Sequence, residues 1–128
     1  MDSRVGTTFG KYNVTRLLGK GGMGEVYQAF DTDKGRTVAL KILAAEFSDD
    51  AAFRTRFQRE SQAAAILQEP HVIPIHDWGE IDGSLYIDMR LVSGHTLLDL
   101  IETGPMEPAR AVCRFLRNHF LTTCLKNI

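Results

Sequence analysis

Four glycines within six residues constrain this chain more than any other feature of its sequence. Residues 19–24 read Gly-Lys-Gly-Gly-Met-Gly, and this density of glycine predicts a turn, because glycine weakens both helices and strands. The spacing Gly19-x-Gly21-x-x-Gly24 also lets backbone N–H groups approach phosphate oxygens closely, since no Cβ atoms intervene. Taken alone, the spacing fits a phosphate-binding loop and a flexible hairpin without a ligand equally well.

The residues after the glycines distinguish between the classes of phosphate-binding loop. Only Glu25 to Asp31 precede the next turn signal at 31–35, which is too short for the crossover helix that a dinucleotide-binding domain requires. These residues also alternate like a strand. No Gly-Lys-Ser/Thr follows the glycines, so the loop is not a Walker A motif. The glycines are therefore predicted to lie in a strand–turn–strand hairpin.

The rest of the chain reads as an α+β domain. Strands are predicted at 11–18, 25–30, 36–43, 72–78 and 84–91, the last two joined by a turn at Asp82-Gly83. A helix is predicted between the N-cap signal Ser48-Asp49-Asp50 and Pro70. Thr96 and Asp99 resemble a capping box for a short helix at 97–102, and Pro108 can begin another. We expect a five-stranded antiparallel sheet with one principal helix and C-terminal helical segments.

A carboxylate interrupts the apolar stripe of the predicted principal helix. At about 100° per residue, Glu60 falls in the middle of a stripe that is otherwise apolar and spans about 80°, formed by Phe53, Phe57, Ala64 and Leu67. A lone carboxylate on a core-facing surface is costly unless a partner pairs with it. Lys41, within a strand that otherwise reads as buried, is the natural partner, although a strand lysine is commonly an edge residue with its charge in solvent.

These motifs together resemble those of bacterial eukaryotic-like serine/threonine protein kinases. The similarity is strongest to the receptor-type mycobacterial kinases and covers roughly residues 8–112. It is carried by Leu18-Gly-Lys-Gly-Gly-Met-Gly-Glu-Val-Tyr27, Val38-Ala-Leu-Lys41, Phe57-Gln-Arg-Glu60 and Leu85-Tyr-Ile-Asp-Met-Arg-Leu91. The resemblance implies the ATP-binding N-terminal lobe of a kinase, with ATP and Mg²⁺ as cofactors and protein serine or threonine as the substrate of a full-length parent.

The resemblance also implies roles for individual residues. Lys41 and Glu60 would be the catalytic pair, in which the glutamate holds the lysine against the ATP phosphates. Leu18, Val26 and Ala39 would enclose the adenine, Met89 would be the gatekeeper, and the backbone of 90–92 would bond the adenine edge. The complete predicted nucleotide site comprises Leu18, Gly19, Lys20, Gly21, Gly22, Met23, Gly24, Glu25, Val26, Ala39, Lys41, Met89, Arg90, Leu91 and Val92.

Other kinase motifs are absent from the sequence. It contains no His-Arg-Asp, Asp-Phe-Gly or Ala-Pro-Glu, so it supplies neither a catalytic base nor metal ligands for phosphoryl transfer. The predicted divisions are a lead-in at 1–10, a kinase N-lobe at 11–96, a helical start of the missing larger lobe at 97–112, and an atypical tail at 113–128. The tail lacks Ala, Gly, Val, Asp and Glu. Truncation there, a shifted reading frame and a decayed gene all fit this change.

Composition narrows the remaining possibilities. The 128 residues carry a net charge of −1, which gives no reason to expect nucleic acid or anionic lipid as a partner, and no apolar run approaches the ~20 residues that span a bilayer. We expect a cytoplasmic location, with any membrane anchor in a segment of the parent outside these residues. The alternative to an ATP-binding lobe is a non-catalytic product, either an N-lobe homodimer or a chain with no function.

Overall fold

The computed structural model describes residues 4–70, 72–95, 102–105 and 107–108. Within them, six antiparallel strands form one sheet in the order β1-β2-β3-β4-β6-β5. The strands are β1 (Thr8–Phe9), β2 (Tyr12–Gly21), β3 (Gly24–Asp31), β4 (Arg36–Leu43), β5 (Ile75–Ile81) and β6 (Ser84–Arg90). Two helices, α1 (Ala45–Ser48) and α2 (Ala51–Ile66), lie between β4 and β5. The predicted helices at 97–102 and beyond Pro108, and the tail, lie almost wholly outside the described residues.

The predicted fold class is confirmed, but the sheet has six strands rather than five. The additional strand β1 consists of two residues, which pair with β2 through Thr8 opposite Asn13 and Phe9 opposite Tyr12. A strand this short leaves no periodic pattern in the sequence. It exists because the start of β2 offers it unpaired backbone groups, and because Phe9 is buried against the sheet.

The β2–β3 and β5–β6 turns differ in how well the sequence predicts them. Asp82 and Gly83 form the β5–β6 turn with φ of 50° and 78°, as their sequence predicts for a two-residue turn with positive φ at both positions. The glycine-rich turn contains fewer residues than predicted. Only residues 22 and 23 form it, while Gly19 to Gly21 extend β2 and Gly24 begins β3. Cross-strand pairing, including Gly21 opposite Gly24, overrides the weak intrinsic strand preference of glycine.

Helix α2 begins and ends inside its predicted limits. Asp50 is the N-cap, and its carboxylate accepts a hydrogen bond of 3.0 Å from the Phe53 backbone N–H. Ser48 ends α1 instead, and its hydroxyl accepts a bond of 3.0 Å from the Leu85 N–H on β6. The prediction that Leu67 belongs to the buried stripe is wrong. Leu67 is 43% exposed because it is the extended C-cap residue beyond the last helical turn.

The sheet buries a different apolar cluster on each face. The helix-side cluster joins α2 to strands β4 and β6 through Ala39, Leu43, Phe53, Phe57, Ala64, Leu85, Ile87 and Met89. The far-side cluster lies on the opposite face and consists of Phe9, Tyr12, Val14, Tyr27, Ala29, Val38, Leu40, Ile42 and Tyr86. Strand β4 contributes alternate residues to the two clusters, as the pleat of a strand requires. This alternation determines which predicted site residues can meet.

Candidate nucleotide-binding site

Lys41 lies on the helix side of the sheet. Its neighbours along β4 on that face are Ala39 and Leu43, both buried in the helix-side cluster. Across the sheet, Lys41 is opposite Val26 on β3 and Ile87 on β6. Burial in these apolar surroundings lowers the pKa of the Lys41 amine below the ordinary lysine value. An amine in this setting gains from an anionic partner, because the surroundings solvate its charge poorly.

The predicted adenine-contacting residues form one apolar surface next to Lys41. Ala39 is directly opposite Met89, both are buried in the helix-side cluster, and Val26 and Leu91 pack against that cluster. The structure therefore brings four of the predicted residues to one face. Leu18 lies at an irregularity of β2 between Leu17 and Gly19 and is 37% exposed.

The glycines of the loop have two different surroundings. A Cβ atom at Gly19, Gly21 or Gly22 would meet nothing within 4 Å, so these positions leave open space beside the backbone. A Cβ atom at Gly24 would collide with the Ile42 carbonyl oxygen of β4. Three of the glycines thus leave room for a ligand to approach, and the fourth permits β3 to pack against β4.

The remaining loop residues lie at the tip and on the far side. Met23 is partly buried against the helix-side cluster, and its carbonyl accepts a bond of 2.9 Å from the Ala44 N–H. Glu25 is opposite Ile42 of the far-side cluster. Its carboxylate accepts a hydrogen bond from the Tyr27 hydroxyl and pairs with Lys20 at 2.9 Å, and these two partners lower the pKa of Glu25. The Glu25 side chain therefore lies on the face away from Lys41.

Glu60 lies on α2 between the buried Phe57 and the buried Ser61. Its side chain is 32% exposed, and its Oε1 lies 4.0 Å from the Arg56 Nε. Ser61, rather than Glu60, occupies the centre of the buried stripe, because the stripe runs through Phe53, Phe57, Ser61 and Ala64. The predicted contact between Glu60 and Lys41 stays a prediction.

The segment after β6 supplies backbone groups next to the apolar surface. The Arg90 N–H donates a bond of 3.0 Å to the Pro74 carbonyl, so this N–H group is already engaged within the protein. The Arg90 carbonyl and the backbone of Leu91 and Val92 follow directly, and the Val92 side chain is 60% exposed. The predicted adenine-edge contacts therefore reduce to groups other than the Arg90 N–H.

Sequence reasoning missed a buried polar group beside this segment. Asp88 is fully buried on β6 between Ile87 and Met89, and it bonds to Tyr12 and His76. One signal was available in the sequence. A carboxylate within an otherwise apolar strand requires hydrogen-bonding partners, since burying it alone is costly.

The sheet, helix α2, the open glycine turn and the half-buried strand lysine together define the small lobe of a protein kinase. In agreement, the family described as protein kinase domain matches residues 12–123, and the chain belongs to this family. The serine/threonine-protein kinase PknE of Mycobacterium tuberculosis is 56% identical over 112 residues, which cover 87% of this chain and 20% of PknE. PknD of the same species is 54% identical over 110 residues, 85% of this chain and 17% of PknD.

Solved structures give the same result. The kinase domain of M. tuberculosis PknI superposes with a TM-score of 0.80 at 32% identity, covering 98% of this chain and 50% of that one. This chain thus resembles serine/threonine kinases of mycobacteria, as its motifs predict, and spans about a fifth of the length of the curated relatives it matches. No helix among the residues the structure describes is long and apolar enough to cross a membrane.

Proposed function

We propose that this chain binds ATP as the small lobe of a serine/threonine kinase. One observation carries the proposal: Lys41 lies on the same face of the sheet as Val26, Ala39 and Met89, directly opposite Val26 on the neighbouring strand. The apolar residues suit one face of an adenine ring. The amine suits the phosphates, which are the anionic part of the same ligand.

The glycine turn supports the proposal from the other end of the site. Because a Cβ atom at Gly21 or Gly22 would meet nothing within 4 Å, a phosphate group can approach the backbone of the turn closely. The turn joins the ends of the strand that carries Leu18 and the strand that carries Val26, so a nucleotide against Val26 would have its phosphates below the turn. Lys41 would hold these phosphates through charge and hydrogen bonds.

Metal binding and catalysis require groups beyond these. Among the described residues no group of three or more His, Cys, Asp or Glu side chains could hold a metal ion. Transfer of the phosphoryl group to protein serine or threonine is proposed only for a longer parent that supplies a catalytic base and metal ligands. A cytoplasmic location and an N-lobe homodimer also stay predictions.

Nucleotide titration followed by NMR tests this function. We expect Mg-ATP to shift amide signals of the glycine turn and of residues 90–92 in ¹⁵N-labelled chain, with a Kd on the order of 1 mM, or about −4 kcal/mol. The affinity is weak because one face of the adenine and the metal lack partners in these elements. Adenosine alone should shift the hinge signals but not those of the turn.

Two lysine variants separate the site from general charge effects. Lys41→Met should abolish the shifts at the glycine turn, because it removes the cation on the site face. Lys34→Met is the matched control, since Lys34 lies exposed in the β3–β4 turn, and it should leave the titration unchanged. Shifts that persist in Lys41→Met, or that spread evenly over the lysines of the surface, would contradict the proposed site.

A further inference from the structure

Asp88 connects three strands at the end of the sheet that leads into the predicted hinge, residues 90–92. Its carboxylate is fully buried, and its two oxygens have different partners. Oδ2 accepts a bond of 2.8 Å from the Tyr12 hydroxyl on β2, and Oδ1 lies 3.2 Å from the His76 Nδ1 on β5. Asp88 immediately precedes Met89 in β6. A displacement of this carboxylate would therefore be transmitted directly to the gatekeeper and the hinge.

A bulge in β5 directs His76 toward Asp88. Ile75 pairs with Met89 and Asp77 pairs with Asp88, which leaves His76 as an extra residue between two registered pairs. Ile75 and Trp78, three positions apart, both pack against the helix-side cluster, which regular alternation would not allow. The bulge thus places the side chain of His76 on the same face as Asp88.

A backbone hydrogen bond also holds the end of β6, and its acceptor lies just before the bulge. The Arg90 N–H donates to the Pro74 carbonyl at 3.0 Å. The residue before β5 therefore holds the start of the hinge through the bond from Arg90 to Pro74, and β5 itself holds Asp88 through His76. Both attachments flank Met89, whose side chain lies on the proposed nucleotide face.

We propose that Asp88 is a positioning residue for nucleotide recognition, and that the charge of His76 sets how firmly Asp88 holds the hinge. The effect on nucleotide affinity rests on the proposed nucleotide site, whereas the contacts of Asp88 with Tyr12 and His76 do not depend on it. A protonated imidazole forms a charge-assisted hydrogen bond with the buried carboxylate, which is stronger than the bond from a neutral one. The hinge should therefore be held more firmly at low pH than at high pH.

The groups around His76 and Asp88 leave the imidazole as the switching element. Tyr12 of β2 and Tyr86 of β6 remain donors at neutral pH, because burial raises the pKa of both phenols, that of Tyr86 to about 12. The Tyr86 hydroxyl bonds to Asp77 at 3.3 Å, and Lys11 lies 3.5 Å from Asp77 and 3.8 Å from the buried Asp31. The His76 side chain is 21% exposed, so protons reach it, and histidine is the side chain that changes charge between pH 5 and 8.

NMR of the full chain tests the coupling without a nucleotide. The Met89 methyl signal and the amide signals of Arg90 and Leu91 are followed from pH 5.5 to 8, together with the His76 ring. We expect the hinge signals to titrate with the same midpoint as the His76 ring. Hinge signals that do not follow His76 would overturn the proposal.

Matched variants identify the groups responsible. His76→Gln retains a hydrogen-bonding side chain that does not titrate, so it should abolish the pH response of Met89 while the chain remains folded. His95→Gln makes the same change at an exposed residue beyond the hinge and should leave the response intact. Asp88→Asn should also abolish it, whereas Asp82→Asn, in the exposed turn of the same hairpin, should not. A response that survives His76→Gln would contradict the proposal.

A nucleotide arm separates this proposal from the proposed function. If wild-type chain binds Mg-ATP, Asp88→Asn should weaken the affinity roughly fivefold or more, a typical size for coupling between sites, and Asp82→Asn should not. Unchanged affinity in Asp88→Asn would overturn the positioning role while leaving the nucleotide site in place. If wild-type chain does not bind Mg-ATP, the proposed function fails, and the Met89 titration still decides whether Asp88 and His76 position the hinge.

Discussion

Alanine at Gly24 should destabilise the fold, whereas alanine at Gly21 should not. The two glycines are directly opposite each other across the β2–β3 hairpin, so they form a matched pair. A Cβ atom at Gly24 would collide with the Ile42 carbonyl and lie 2.8 Å from the Leu43 Cα. At Gly21 it would meet nothing within 4 Å.

The geometry gives the size of the effect. Carbon atoms in contact normally lie about 3.5–4.0 Å apart, so the backbone of β3 or β4 must move by about 1 Å to accept the new methyl group. Both neighbours are backbone atoms, which cannot turn away as a flexible side chain can. Overpacking that forces backbone shifts costs about 1–3 kcal/mol. Gly21→Ala should stay within about 0.5 kcal/mol of wild type, as substitutions without a steric conflict usually do.

Urea unfolding followed by circular dichroism measures both variants. Gly24→Ala should lower the urea midpoint without changing the slope of the transition, because the surface exposed on unfolding is nearly the same. The Mg-ATP titration adds the functional half of the comparison, in which Gly21→Ala should weaken binding with the fold intact. Equal stability of the two variants would refute the view that Gly24 serves packing and Gly21 serves the ligand.

Three further predictions concern Lys41, Glu60 and catalysis. Burial lowers the pKa of Lys41, so the unfolded chain retains this proton to higher pH than the folded chain does, and the free energy of unfolding rises with pH between the lowered pKa and 10.5. Lys41→Met should flatten this rise when the urea midpoint is measured as a function of pH. An unchanged rise in the variant would contradict the prediction. The cycle of Lys41→Met with Glu60→Gln should give a coupling of about 0.5–3 kcal/mol, and additive effects would show that the predicted pair is not coupled. The chain alone should transfer no label from radiolabelled ATP to a basic protein, because it lacks a His-Arg-Asp base, and transfer that survives repurification would sink this prediction.

Local chemistry decided the parts of the fold that the sequence predicts well. The Asp82-Gly83 turn follows from two residues that accept positive φ, and Arg36–Leu43 is observed with the predicted bounds because β-branched and apolar residues fill it. Asp50 caps α2 within the predicted N-cap signal. The kinase class was predicted correctly as well, because the glycine spacing and the position of Lys41 can be read directly from the sequence. The turn, the strand and the helix cap each depend on residues close together in sequence.

Contacts between distant residues decided the rest. The two-residue strand β1 has no pattern of its own and exists through pairing with β2, and Gly19 to Gly21 are strand because β3 lies beside them. Asp88 is tied to Tyr12 across 76 positions, and the bulge that directs His76 toward it is defined only by the register of β5 against β6. Sequence patterns therefore show which residues must be buried and which must form turns. The partner of a buried polar group depends instead on strand pairing, which becomes defined only when the sheet assembles.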